Sequence, residues 1–149
     1  GERDIAIDEL FAGPGENTLA NDEVLVAMKV PAPPARTGSV YQRHTPRKIM
    51  DIAAVGVAIR LSLAEDGTIA EARVCLGAVG PTIFRVPDAE GAITGQAPTD
   101  ELFDRAAELA RAAAKPISDV RGSADFRRHL VGVMTKRCLD IALSRARAG

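Results

Sequence analysis

The order of hydrophobic patterns along the 149-residue chain predicts an α+β fold. Alternating, period-two patterns occupy the first half, from about residue 23 to 80. Helical, period-3.6 patterns occupy the second, from about 85 to 148. The strand patterns carry one apolar and one polar face, the mark of an antiparallel sheet covered on one side. The expectation is one domain over residues 1–149. Its sheet has three to four antiparallel strands, packed on one face by about three helices. A chain this long can bury about two thirds of its unfolded surface, enough for a core of its own.

The elements follow in order. Residues 1–23 mix acids, glycines and a proline, and read as loop with a short strand or turn near residues 5–7. In "EVLVAMKVPAPP", Val24, Val26, Met28 and Val30 fall on one face of an extended chain and Lys29 on the other. That predicts a strand over residues 24–30, stopped by Pro31, Pro33 and Pro34, which cannot continue a ladder. A second strand is expected from Ser39 to about His44, and a third from Ile52 to Leu63. Asp66-Gly67 supplies the positive-φ position of a hairpin. The return strand "TIAEARVCLGAVG" places Ala70, Ala72, Val74 and Leu76 on one face, and Glu71 and Arg73 on the other. Pro87 opens a short helix that closes near Gly95. A second helix starts at the N-cap Thr99, has Asp100 and Glu101 in its first turn, and ends before Pro116. The last helix starts at Ser123. Its predicted inward stripe is Phe126, Leu130, Val133, Met134, Cys138, Ile141 and Ala142.

Composition narrows function. Net charge is −1, so no global field draws the chain to nucleic acid or anionic lipid. One Tyr, four Phe and no Trp leave little for base stacking. No apolar run reaches the ~18 residues of a membrane span. The first ten residues carry Glu2, Arg3, Asp4, Asp8 and Glu9, which does not fit a signal peptide. Cys75 and Cys138 form no Cys-x-x-Cys pair, so they read as free, buried thiols in a reducing, cytoplasmic setting. Two histidines, His44 and His129, with scattered acids make a poor metal site. "FAGPGENT" lacks the third glycine of a dinucleotide fingerprint and the Gly-Lys-Ser/Thr of a P-loop, and reads as a turn.

The stretch "YQRHTPRKIMDIAAVGVAIRL" carries the most informative cluster. Arg43, His44, Arg47 and Lys48 crowd a loop before an apolar strand. Composition alone allows either a solvated strand end or an anion or cofactor contact. Pro46 biases Thr45 toward extended geometry. Asp51 sits where the loop re-enters the sheet, placed to pair with Arg47 or to accept from local backbone N–H groups. The arginines and lysine of the last helix (Arg127, Arg128, Lys136, Arg137, Arg145, Arg147) read as a solvated outer face.

Four segments, in order and at matching spacing, carry a resemblance. They are "FAGPGENTLANDEVLVAMKVP", "YQRHTPRKIMDIAAVGVAIRL", "LGAVGPTIFRVPDAEGAITG" and "SDVRGSADFRRHLVGVMTKRCLDIAL". Together they resemble the C-terminal domain of the FAD-binding medium subunit of molybdenum hydroxylases, the xanthine dehydrogenase and carbon monoxide dehydrogenase family. The resemblance implies a domain that covers one side of a flavin. An N-terminal FAD-binding region, which this chain lacks, would hold most of the cofactor. It implies partners carrying molybdopterin and [2Fe–2S] clusters: a molybdenum subunit that oxidises substrate and an iron–sulfur subunit that passes electrons to FAD. It places Arg43, Arg47 and Asp51 on the loop beside the flavin ring. Arg43 stands where relatives have a flavin-contacting lysine. The isolated chain is then expected to bind FAD weakly if at all, to have no turnover of its own and to keep that loop mobile, with self-association through surfaces that normally meet the rest of the subunit open to it. The alternative is a non-enzymatic α+β interaction module.

Overall fold

The computed structural model describes residues 1–47 and 50–149. Lys48 lies outside the described residues. The small elements come first: α1 (Ile7–Leu10), β1 (Phe11–Gly13) and β2 (Glu16–Asn17), the last two paired as a hairpin. The main sheet is β3 (Thr37–His44), β4 (Val55–Leu63), β5 (Ile69–Gly77) and β6 (Phe84–Arg85), antiparallel in the order β3-β4-β5-β6. Three helices, α2 (Pro87–Ile93), α3 (Asp100–Ala113) and α4 (Ala124–Ala148), complete the fold. The α+β expectation is met, with strands preceding helices.

One face of the sheet is dry. Val40, Val57, Ile59, Leu61, Val74 and Leu76 meet Ile93, Phe103, Ala106, Val131, Leu139 and Ala142 from the helices. Helix α4 lies across β3 and β4, and α3 packs on α4. Gly38 makes the close crossing possible. A Cβ there would stand 1.9 Å from the Ala142 carbonyl oxygen on α4, a distance no side chain tolerates. Arg145 then donates from its guanidinium to the Ser39 carbonyl, fastening the end of α4 to β3.

The predicted hairpin forms at Asp66-Gly67, with Gly67 at φ +85°. Asp66 accepts from the Thr68 N–H (3.0 Å) and hydroxyl (2.7 Å), which fixes the turn. The caps form as read: the Thr99 hydroxyl accepts from the Leu102 N–H and the Ser123 hydroxyl from the Phe126 N–H. Helix α2 begins at Pro87.

Four expectations change. Residues 5–7 form no strand; Ile7 opens α1. Residues 24–30 are not a strand, because among the described residues no other strand lies beside them. Ala70 is exposed and Ile69 is buried in its place, because a bulge between Ser62 and Leu63 shifts the register. The buried stripe of α4 is rotated from the predicted one. It runs Arg127, Val131, Met134, Thr135, Cys138, Leu139, Ala142, Leu143 and Ala146, whereas Phe126 stays 44% exposed. The helix is covered on two sides, by the sheet and by α3, so its apolar arc is wide. An arginine at its head disguises where it starts.

Residues 1–36 contribute no buried side chain. No helix among the described residues is long and apolar enough to cross a membrane.

Candidate functional site

The β3–β4 connection brings two of the three predicted site residues together. Asp51 Oδ2 accepts from the Arg47 N–H at 2.8 Å, and Asp51 Oδ1 accepts from the Ile52 N–H at 2.8 Å. The Arg47 guanidinium stands 3.5 Å from the same carboxylate and also donates to the Met50 carbonyl at 3.4 Å. The Asp51 side chain is only 8% exposed, whereas that of Arg47 is 74% exposed. These bonds hold the carboxyl below its ordinary value. The Arg47 N–H has the largest effect, burial opposes it, and the Ile52 N–H and the Arg47 guanidinium add to it. Asp51 is therefore turned inward on its own loop. It positions Arg47 rather than presenting an acceptor to solvent.

Thr45 adds a second tie, its hydroxyl donating to the Arg47 carbonyl at 2.5 Å. Where the loop rejoins the sheet, the Ala54 N–H donates to the His44 carbonyl at 2.8 Å. Met50 sits at φ +47°, in the left-handed region, which costs a non-glycine residue about 1 kcal/mol. Behind the loop, the His44 ring meets Phe126 of α4 edge-on, with centroids 6.0 Å apart.

Arg43 comes from the strand, not the loop. Along β3 the inward positions are Gly38, Val40, Gln42 and His44, and the outward ones Ser39, Tyr41 and Arg43. Arg43 is opposite Gly56 of β4, which is opposite Gly77 of β5. The Tyr41 ring lies over Gly56, so close that a Cβ there would be 3.2 Å from its hydroxyl, and Ile83 stands 3.9 Å from where a Cβ on Gly77 would be. Beside Tyr41 a shallow depression of about 450 Å³ continues along the same face, lined by Ala58, Arg60, Arg73 and Cys75. Arg60 and Arg73 both pair with Glu71, at 2.6 and 2.5 Å. Among the described residues Arg43 has no carboxylate partner, and neither does Arg145, which lines the depression and donates to the Ser39 carbonyl.

Three groups were missed from the sequence. Tyr41 reads there as one more strand residue, and Gly56 and Gly77 as gaps in apolar runs; only their alignment across β3, β4 and β5 makes a floor. Glu90 is buried on α2. It accepts from the Val74 N–H (2.9 Å) and from the Arg85 guanidinium (3.0 and 2.5 Å). That satisfies a donor beyond the reach of the two-residue β6. Arg127, assigned to a solvated face, is instead buried. It pairs with Asp119, whose carboxylate also accepts from the Arg121 N–H at 2.8 Å. That carboxyl is held below its ordinary value, chiefly by the Arg121 N–H and the Arg127 guanidinium. Among the described residues no cluster of His, Cys, Asp and Glu could hold a metal ion.

An antiparallel sheet backed on one face by three helices defines an α+β domain. The family follows from comparison. Residues 41–142 match the model of the CO dehydrogenase flavoprotein C-terminal domain, and the chain belongs to that family. It is 34% identical over 145 residues to the carbon monoxide dehydrogenase medium chain of Hydrogenophaga pseudoflava, covering 97% of this chain and 50% of the relative. It is 31% identical to the xanthine dehydrogenase FAD-binding subunit of Escherichia coli O157:H7, covering 98% of this chain and 50% of that one. Among solved structures, carbon monoxide dehydrogenase from Hydrogenophaga pseudoflava superposes with a TM-score of 0.87 at 36% identity, over 93% of this chain and 47% of that one. Quinoline 2-oxidoreductase from Pseudomonas putida 86 gives 0.86 at 30% identity, over 97% and 49%. The chain thus spans about half the length of the relatives it matches.

Proposed function

We propose that this chain is the C-terminal domain of an FAD-binding medium subunit, in an oxidoreductase that also carries a molybdenum subunit and an iron–sulfur subunit. Its place is beside the flavin ring. The observation that carries this is Arg43: an exposed cation without a carboxylate partner among the described residues, opposite Gly56 on the sheet and inside the region that matches the family.

The residues present fit one edge of a flavin. Gly56 and Gly77 add no side chain of their own to this face, and the Tyr41 ring that lies over Gly56 offers a flat partner for a planar ring. Reduction adds negative charge to the ring, and a guanidinium at its edge stabilises that charge. When bound, the flavin would accept electrons from the iron–sulfur subunit and deliver them to an acceptor. The work of this chain is to hold Arg43 in place, to flank the ring with Tyr41, and to keep Arg47 over the approach through Asp51. The subunit would be about twice this length, as in the relatives, with its remaining half supplying most of the FAD contacts. Two free thiols and no disulfide fit a reducing, cytoplasmic compartment.

Arg43→Ala tests the assignment in the reconstituted subunit. The expected result is a lower flavin reduction potential or loss of FAD on gel filtration. Unchanged potential and unchanged FAD content would overturn the role of Arg43.

A further inference from the structure

Strand β3 is an edge strand: among the described residues it pairs with β4 on one side and with no strand on the other. Helix α4 crosses its inner face and meets it near both ends. Near the start, the Arg145 guanidinium donates to the Ser39 carbonyl. At the finish, the Phe126 ring meets the His44 ring edge-on, with centroids 6.0 Å apart, a favoured arrangement for aromatic pairs. Arg43 is the last residue but one of the strand, and its side chain faces outward. Its backbone is held by the ladder to Gly56 and, through its neighbour His44, by this contact with α4.

Phe126 is not a core residue. It is 44% exposed and lies off the buried stripe of α4. Yet the chain around it fixes its ring. A Cβ on Gly122 would stand 3.0 Å from the Phe126 Cδ1, so a side chain there would push the ring aside. The knuckle that carries Gly122, residues 118–124, is densely tied. Asp119 and Gly122 exchange backbone hydrogen bonds at 3.2 and 3.1 Å. The Ser118 hydroxyl accepts from the Ala124 N–H at 2.8 Å. The Asp119 carboxylate accepts from the Arg121 N–H at 2.8 Å and from the buried Arg127 guanidinium. Opening the knuckle would strand that buried charge, so it is held shut. We infer that Phe126 is a positioning residue for Arg43. The knuckle sets the ring, the ring sets His44, and His44 fixes the end of β3 from which Arg43 reaches the flavin edge. Phe126 meets the face of β3 opposite to the one that Arg43 presents, so it acts through the strand. The inference rests on the reading that Arg43 stands beside the flavin.

The reconstituted FAD-binding subunit containing this chain tests it, through the flavin reduction potential and the FAD dissociation constant. Phe126→Ala should weaken FAD binding by about two- to tenfold, the range that an edge-on ring pair is worth, and should lower the potential in the same direction as Arg43→Ala. Phe126→Tyr keeps the ring and should keep both wild-type values. In an Arg43→Ala background, Phe126→Ala should change neither value further, because a residue that acts through Arg43 then has nothing left to position. Wild-type potential and affinity in Phe126→Ala overturn the inference. So does a further loss in the Arg43→Ala background, which would make Phe126 a general support of the fold. A Phe126→Tyr variant as impaired as Phe126→Ala overturns it as well. If Arg43→Ala itself leaves the flavin unchanged, the reading of Arg43 falls and this inference with it. If Arg43→Ala shifts the flavin while Phe126→Ala does not, only this inference falls.

Discussion

The arm of residues 1–36 and the body of residues 37–149 use the same hydrophobic grammar with opposite results. In β5, Ala72, Val74 and Leu76 alternate and are almost wholly buried; in the arm, Val24, Val26, Met28 and Val30 alternate and are exposed. The pattern says that a segment wants a sheet. It does not say whose sheet. Strand β5 has β4 beside it along its whole length and α2 against it. The arm has ion pairs instead, Arg3 with Glu23 and Lys29 with Asp4. Exposed ion pairs of this kind contribute little, so the arm is attached rather than folded in.

The largest expected contrast comes from paired truncations. Leu61→Ala removes a fully buried side chain between β4 and the helices and should cost about 2–5 kcal/mol. Val26→Ala trims a side chain that touches little, and should change stability by less than about 0.5 kcal/mol. Chemical denaturation of both variants checks this. A cost above 1 kcal/mol for Val26→Ala would mean that the arm docks on the body in solution.

A smaller effect probes how the body is framed. Ser123→Ala removes the hydroxyl that accepts from the Phe126 N–H, at about 1 kcal/mol. The change should appear as a lower denaturation midpoint with an unchanged slope, because α4 is cooperative with the sheet it covers. A changed slope, or a second transition, would show that α4 can leave the sheet on its own.

How much of this was readable in advance differs between the two regions for the same reason. In the body, local signals agreed with their surroundings: Asp66-Gly67 made the turn, Thr99 and Ser123 made the caps, and Pro87 opened α2. Where reading failed, the cause was always a neighbour. A one-residue bulge at Ala70 turned Ile69 inward in its place. Helix α3 and the sheet together widened the buried arc of α4, and Asp119 took Arg127 into it. Tyr41, Gly56 and Gly77 come from three strands, so the floor beside Arg43 has no one-dimensional signature. The arm failed in the other direction: it alternates like a strand, and among the described residues no strand lies beside it. For the site, Arg47 and Asp51 were legible as a pair because they are four residues apart, within reach of local hydrogen bonds.

That loop lies between the two regimes, since polar ties rather than packing hold it, and pH is the way to test it. The Asp51 carboxyl is held below its ordinary value of 3.8, most strongly by the Arg47 N–H. A depressed folded-state value means that the charged form stabilises the loop above the unfolded value and that this is lost as pH falls through the folded one. The Arg47 and Ile52 amide proton resonances should therefore hold steady from pH 7 to about 4, then move together below 3.8 as the carboxyl takes its proton. Asp51→Asn should abolish that shared transition and leave the Phe126 amide, capped by Ser123, unmoved. If wild type and Asp51→Asn titrate alike, the loop is not held by this carboxylate. If the Phe126 amide moves in step with them, acid is loosening the whole body and the distinction between packed and polar-tied regions fails.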